Sequence, residues 1–175
     1  MTIRAAIRRP LAALALLAAL ASAGAASAAD PYPYDGMRVL ESAKSYPALV
    51  AAFNEAVEAE PRVFVVTRAS ATVGVRNRFG EEIPGNMVAG VYGPEFAKRM
   101  LEASIPAGIE APIRFYLTED PQTGKASLTY RTPSAVFAPY AQGPGAAPGA
   151  ADLAAMAQEL DAIFARIAGR ATAAE

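Results

Sequence analysis

The sequence predicts an α+β fold, a two-layer sandwich in which a mostly antiparallel sheet carries helices on one face. Three stretches lead to that expectation. Asn86 to Tyr92 (NMVAGVY) is apolar on both sides of an extended chain, as in a central strand, and Gly93-Pro94 opens a helix directly after it. Ile113 to Thr118 and Lys125 to Thr132 each alternate apolar and polar residues, the period of a half-buried strand. The six residues between them, Glu119-Asp120-Pro121-Gln122-Thr123-Gly124, are turn formers, so the two strands make a hairpin. Leu153, Met156, Leu160, Ile163, Phe164 and Ile167 recur at three-to-four spacing and form one apolar stripe on a C-terminal helix.

The remaining elements follow in chain order. Met37 to Ser42 reads as a first strand. Ser45 can cap a helix whose face carries Tyr46, Leu49, Val50, Phe53 and Val57, with Pro61 beyond its end. Arg62 to Thr67 (RVFVVT) is β-branched and almost wholly apolar, a second strand. In Arg68 to Gly85, Thr72 to Arg78 alternates weakly as in a short strand, and Phe79 to Gly85 reads as a loop. After Pro94, Phe96, Ala97, Met100 and Leu101 make the buried stripe of a helix. Glu95 sits in its favourable first turn, and Pro106 and Gly108 close it. In the hairpin, Ile113, Phe115 and Leu117 share one face, and Ala126, Leu128 and Tyr130 share one face. Ser134 to Tyr140 suggests a helical turn, and Gln142 to Gly149 is a Gly/Pro/Ala linker. Asp152 is expected to cap the last helix, Gly169 to close it, and residues 170–175 to fray. The predicted order is β-α-β-(β)-β-α-β-β-α, in one domain over residues 37–169 preceded by an irregular lead-in, 29–36.

Met1 to Ala28 reads as a targeting segment. Arg4, Arg8 and Arg9 form a basic start, Leu11 to Ala21 an apolar centre, and Ala26-Ser27-Ala28 an Ala-x-Ala cleavage signal. The apolar centre falls short of the about 20 strongly apolar residues that a membrane span needs. A periplasmic or secreted protein, with no stable membrane span after cleavage near Ala28/Ala29, is the expectation. Removing those 28 of the 175 residues leaves 147, one domain by length, and takes away three Arg and no acid. The net charge moves from −1 to −4. An acidic chain disfavours nucleic acid as a partner. The sequence has no Cys and no His, which removes the usual zinc, haem and thiol chemistry and leaves carboxylates as metal ligands; no cofactor is expected.

The ordered set of motifs resembles the bacterial family called domain of unknown function 302. It comprises the apolar strand Val88 to Tyr92, Gly93-Pro94, the helical Met100, Ala111-Pro112-Ile113-Arg114, Glu119-Asp120 with Gly124, and Tyr130-Arg131-Thr132-Pro133. The resemblance covers roughly residues 37–168. No single motif carries it. It implies a mostly antiparallel sheet with helices packed against it, often paired as a homodimer. Two departures stand out: relatives often carry Asn between the Gly and the Pro, and many carry a His in the region that here spans Arg68 to Ala71. Any His-based chemistry of relatives is absent from this chain.

The candidate polar set is Arg114, Tyr116, Glu119, Tyr130 and Arg131, with Tyr92 and the helix start at Gly93. An Arg beside aromatic rings on a sheet suits a carboxylate or a flat anion. Tyr92, Gly93, Arg114, Tyr116 and Tyr130 are therefore the candidate ligand-binding residues, against the plainer reading of an exposed sheet face or one covered by a partner subunit. Gly90-x-x-Gly93-Pro94 lacks a full phosphate-binding fingerprint. Glu119 and Asp120 read as solvated turn acids, and no nucleophile–base pair is visible, so no catalytic residue is assigned. The leading expectation is a small exported binding or interaction module, paired as a homodimer or bound to a small ligand or an envelope protein. The alternatives are a small-anion enzyme or sensor using Arg114 and Tyr130, and a structural envelope protein that associates through its C-terminal helix.

Overall fold

A computed structural model describes residues 34–142 and 146–174. It contains one five-stranded sheet in the order β1-β5-β4-β3-β2, with every neighbouring pair antiparallel. The strands are β1 (Met37–Ser42), β2 (Phe64–Ala69), β3 (Asn86–Tyr92), β4 (Ile113–Glu119) and β5 (Ala126–Arg131). The helices are α1 (Tyr46–Glu58), α2 (Ala71–Phe79), α3 (Pro94–Ala103), α4 (Pro133–Ala141) and α5 (Ala150–Thr172), with a 3₁₀ turn at Ile105–Glu110. The fold is the α+β sandwich that the sequence predicts, and its sheet is open rather than closed into a barrel.

The β4–β5 hairpin sets the geometry. Phe115 faces Tyr130 and Leu117 faces Leu128 across the ladder, so both apolar rows point to the same side. Asp120 builds the turn: its Oδ1 accepts from the N–H groups of Gln122 and Thr123, both at 2.8 Å, and Gly124 takes φ +68°. Glu119 holds the neighbouring chain through the Gly85 N–H at 2.9 Å. Both acids are thus structural. β1 adds to the outer side of β5, β3 pairs with β4, and β2 forms the far edge with a bulge between Val65 and Thr67.

Helices α1 and α5 cover the inner face, with α3 and α4 packed along α5. Their apolar stripes meet the strands around Phe53, Phe115, Leu117, Leu128, Leu153, Met156 and Phe164, all essentially buried. Phe115 lies at the centre, its ring 4.6 Å from that of Phe164 and 5.2 Å from those of Phe53 and Tyr130. The C-terminal helix is therefore core rather than a docking element: Leu153, Met156, Leu160, Ile163, Phe164 and Ile167 are all spent inside this fold.

Four expectations are corrected. Leu101, expected in the buried stripe of α3, is exposed, while Phe96, Ala97 and Met100 are buried. Thr72 to Arg78 is helical, not a strand; Ser70 caps α2 by accepting from the Val73 N–H at 3.2 Å. The last helix starts at Ala150 with Gly149 as its N-cap, and Asp152 lies inside its first turn, where the helix dipole favours an acid. It also runs on to Thr172 rather than closing at Gly169. Ala171 is buried, and the Lys44 ammonium donates to the Ala173 carbonyl. The leader expected at residues 1–28 and most of the lead-in lie outside the described residues; among the described residues no helix is long and apolar enough to cross a membrane.

A belt of ion pairs ties the segment after α1 to α3 and α5. Glu159 accepts from Arg99 at 2.7 Å and Arg62 at 3.1 Å, and Arg62 also grips Glu95 at 2.6 Å with its guanidinium over the Phe96 ring. These hydrogen bonds hold the Glu159 pKa down to about 2. Hydrogen bonding from Arg166 at 2.8 Å likewise lowers that of Glu60, whose side chain is only 8% exposed. Carboxylates depressed in this way take up protons more readily in the unfolded chain. The stability they lend is complete above the ordinary glutamate pKa of about 4.3 and is lost as pH falls toward 2. Thermal unfolding followed by circular dichroism should show the midpoint falling across that window, and less steeply in Glu159→Gln. A midpoint that stays level from pH 5 to about 2.5 would rule out this role.

Candidate functional site

Strand alternation divides the polar candidates between the two faces of the sheet. Arg114 and Tyr116 flank the buried Phe115 on β4 and so lie on the open side, where both are exposed. Thr129 and Arg131 take the same side of β5, because Tyr116 is in register with Thr129. Arg114 and Arg131 are each one step beyond the Phe115–Tyr130 pair and stand side by side at that end of the ladder. Tyr130 belongs to the helix side. Its ring lies 5.2 Å from Phe115 and 6.0 Å from Phe164. Burial raises its pKa, with Arg38 opposing and Asp161 reinforcing that rise.

Where β4 begins and β5 ends, residues from both faces enclose a cavity of about 220 Å³. Its cationic wall is Arg114 and Arg131, with Tyr116 and Thr129 beside them. Ile113, Tyr130 and Val136 supply apolar wall from the helix side, and Tyr34, Met37 and Glu110 complete it. Arg131 is fixed from above: its guanidinium carbon lies 5.2 Å from the centre of the Tyr34 ring. Its Nε is buried and has no hydrogen-bond partner among the described residues. Tyr116 is held from the far side, where its hydroxyl accepts from the Asn86 amide at 3.3 Å. Glu110 accepts from the Tyr140 hydroxyl at 2.9 Å, which raises the pKa of that tyrosine.

The structure thus brings together Arg114, Tyr116 and Tyr130 of the predicted set, with Tyr130 as part of the wall. It does not bring in Tyr92 and Gly93. Tyr92 sits against Phe64 at 6.1 Å, edge to face. With Gly93 it lines a separate, largely apolar gap of about 30 Å³ among Val63, Phe96, Phe137 and Met156. Sequence reasoning did not select Tyr34, Thr129 or Glu110, and it carried Arg131 in the polar set without assigning it to the site. Arg131 was legible from its ladder position opposite Arg114. Tyr34 lies in an irregular segment with no period to place it. Among the described residues no cluster of three or more acids suits a metal ion.

The open face of the sheet is the other notable surface. No helix of the inner layer covers it, and it exposes Val39, Phe64 and Tyr116, with Val66 exposed at the bulge of β2. α2 lies beside it, tied to Asn86 by Ser70, Ala71 and Thr72, and buries none of its side chains.

An antiparallel sheet backed by helices on one face and, among the described residues, without a helix layer on the other, with a cationic cavity at one end, defines the structural class: an open-faced α+β sandwich. The model of the family described as "Domain of unknown function DUF302" matches residues 38–167, well over half of the chain, and the chain belongs to that family. Among solved structures it is similar to an uncharacterized conserved DUF302 protein from Bacillus stearothermophilus. The TM-score is 0.65 at 13% identity, covering 78% of this chain and 98% of the other. At that identity the likeness speaks for the fold alone. No curated protein matches the chain.

Proposed function

We propose that this chain is an exported, non-catalytic interaction module that pairs with a second copy through the open face of its sheet. The observation that carries the reading is that face, uncovered among the described residues, with Phe64 48% and Val66 43% exposed on the β2 edge and Val39 37% exposed on the opposite β1 edge. Large apolar side chains exposed at both margins of one uncovered sheet face suit a contact surface that spans it. Strands spaced about 4.8 Å apart and about 20 Å long give such a five-stranded face roughly 500 Å² in projection. Side-chain relief and the adjoining α2, which also exposes Val73 and Phe79, extend it toward the roughly 800 Å² per partner of a specific complex. The leader motif at Met1 to Ala28 supports export, and the lack of His and Cys supports a role without acid–base or thiol chemistry.

Size-exclusion chromatography with light scattering at tens of micromolar protein tests the pairing. The expected result is a dimer that Phe64→Glu or Val66→Glu converts to a folded monomer, because a two-fold interface meets each introduced charge twice. A wild-type chain that runs as a monomer at that concentration sinks the proposal.

A further inference from the structure

We propose that the cavity between the start of β4 and the end of β5 binds a small organic acid, whose carboxylate is taken by Arg114 and Arg131. This goes beyond the pairing of two copies and rests on different observations.

The first is how the arginines are matched. Arg62, Arg76, Arg99, Arg166 and Arg170 each meet a glutamate, and Arg68 donates to the Asn54 amide oxygen at 3.0 Å. Arg38, Arg78, Arg114 and Arg131 meet no carboxylate among the described residues, and of these Arg114 and Arg131 line one cavity and stand next to each other at the end of the β4–β5 ladder. Like charges so placed repel. Arg131 adds a buried, unpartnered Nε, a donor whose desolvation nothing in the described chain offsets. The Tyr34 ring nevertheless holds this guanidinium in place. Two guanidinium forks lining one cavity without a carboxylate, one of them held by a ring, are what a bound oxyanion would satisfy, and a guanidinium fork matches a carboxylate in shape as well as charge.

The second observation is the cavity itself. At about 220 Å³ it is smaller than the ~300–1,000 Å³ of pockets for drug-sized ligands, so its occupant is small. Besides the arginines, Met37, Ile113, Val136 and the Tyr116 ring give the cavity apolar lining. Inorganic phosphate would leave that wall unused, whereas an acid with an aliphatic or aromatic body uses both. Glu110 at the wall cancels one of the two positive charges and favours a monoacid over a diacid.

Titration calorimetry of the purified protein with acetate, hexanoate, benzoate and phenylacetate tests the site, with benzyl alcohol and inorganic phosphate as controls. At least one of the acids with a sizeable body is expected to bind, and the neutral alcohol and phosphate are not. Arg114→Gln and Arg131→Gln should each weaken that binding about tenfold or more. Without ligand, Arg114→Gln should unfold at the same temperature as the parent or higher, because it relieves a like-charge pair; its exposed position keeps this variant informative should Arg131→Gln fold poorly. No binding by any acid, binding of phosphate as tight as that of the best acid, unchanged affinity in both variants, or a lowered unfolding temperature for Arg114→Gln without ligand overturns the proposal. Because the cavity opens beside the same sheet face, the titration is repeated on Phe64→Glu: binding by that variant supports the cavity whatever the parent's oligomeric state, and its absence there overturns this proposal without touching the pairing.

Discussion

Replacing Phe115 with alanine is expected to destabilise the fold by about 3–5 kcal/mol, the range for deleting a fully buried aromatic ring. The ring is wholly inaccessible and sits where β4, β5, α1 and α5 converge. Phe164 stacks on it at 4.6 Å with a 22° tilt, and Phe53 and Tyr130 stand 5.2 Å away. Three of those neighbours are aromatic rings held by their own elements, so they cannot readily collapse into the space vacated. Domains of this size are stable by only about 5–15 kcal/mol, so the variant should unfold at markedly lower denaturant concentration. Urea titration followed by circular dichroism measures it. Phe64→Ala on the open face is the control and should change monomer stability by less than about 1 kcal/mol, because that ring is half exposed. A Phe115→Ala loss below about 1.5 kcal/mol would show that the four elements do not share one core.

Gly93→Ala is expected to cost about 1–3 kcal/mol, as overpacking of a tight contact does. Gly93 has ordinary extended angles, φ −138° and ψ 119°, so freedom of the backbone is not its reason for being glycine. The reason is proximity. A Cβ there would lie 2.5 Å from the Arg62 carbonyl oxygen and 2.9 Å from the Phe96 ring, and the first of these is backbone, in the turn that leads into β2. Glycine at the start of α3 thus serves the junction of β2, β3 and α3, not the capture of an anion on helix N–H groups. A Gly93→Ala protein as stable as the parent would count against this account and reopen the anion reading of the Gly93-Pro94 motif.

Most of the fold was legible because its signals are local. Ile113/Phe115/Leu117 and Ala126/Leu128/Tyr130 alternate without a fault, and the turn between them has both its acid and its glycine. α5 shows six apolar residues in helical register. α2 was not legible in the same way. It buries no side chain, so no stripe exists to find, and the weak alternation of Thr72 to Arg78 suggests extended chain. Its only helical signals are at its ends, Ser70 as N-cap and Gly80 with φ +71° after the last turn. The site was half legible. Arg114 and Tyr116 announced the open face by alternation. Tyr130 was assigned with them, but its odd-even position put it with Phe115 on the other side. Whether two residues share a cavity depends on strand register and on which strands are neighbours, and β1 beside β5 joins the first strand to the last. Nothing local in the sequence specifies that pairing.

The two rims of the sheet, β1 and β2, have a consequence of their own. Each ends the sheet with backbone N–H and C=O groups that a further chain could join, the usual route to fibrous precipitation. β2 is bent by its irregularity at Val66 and bears Arg68, and β1 carries Arg38 and the exposed Glu41. Distortion on one side and charge on the other discourage endless side-by-side growth. Any self-association is thereby directed to the flat surface, where a two-fold contact saturates at a pair and stops.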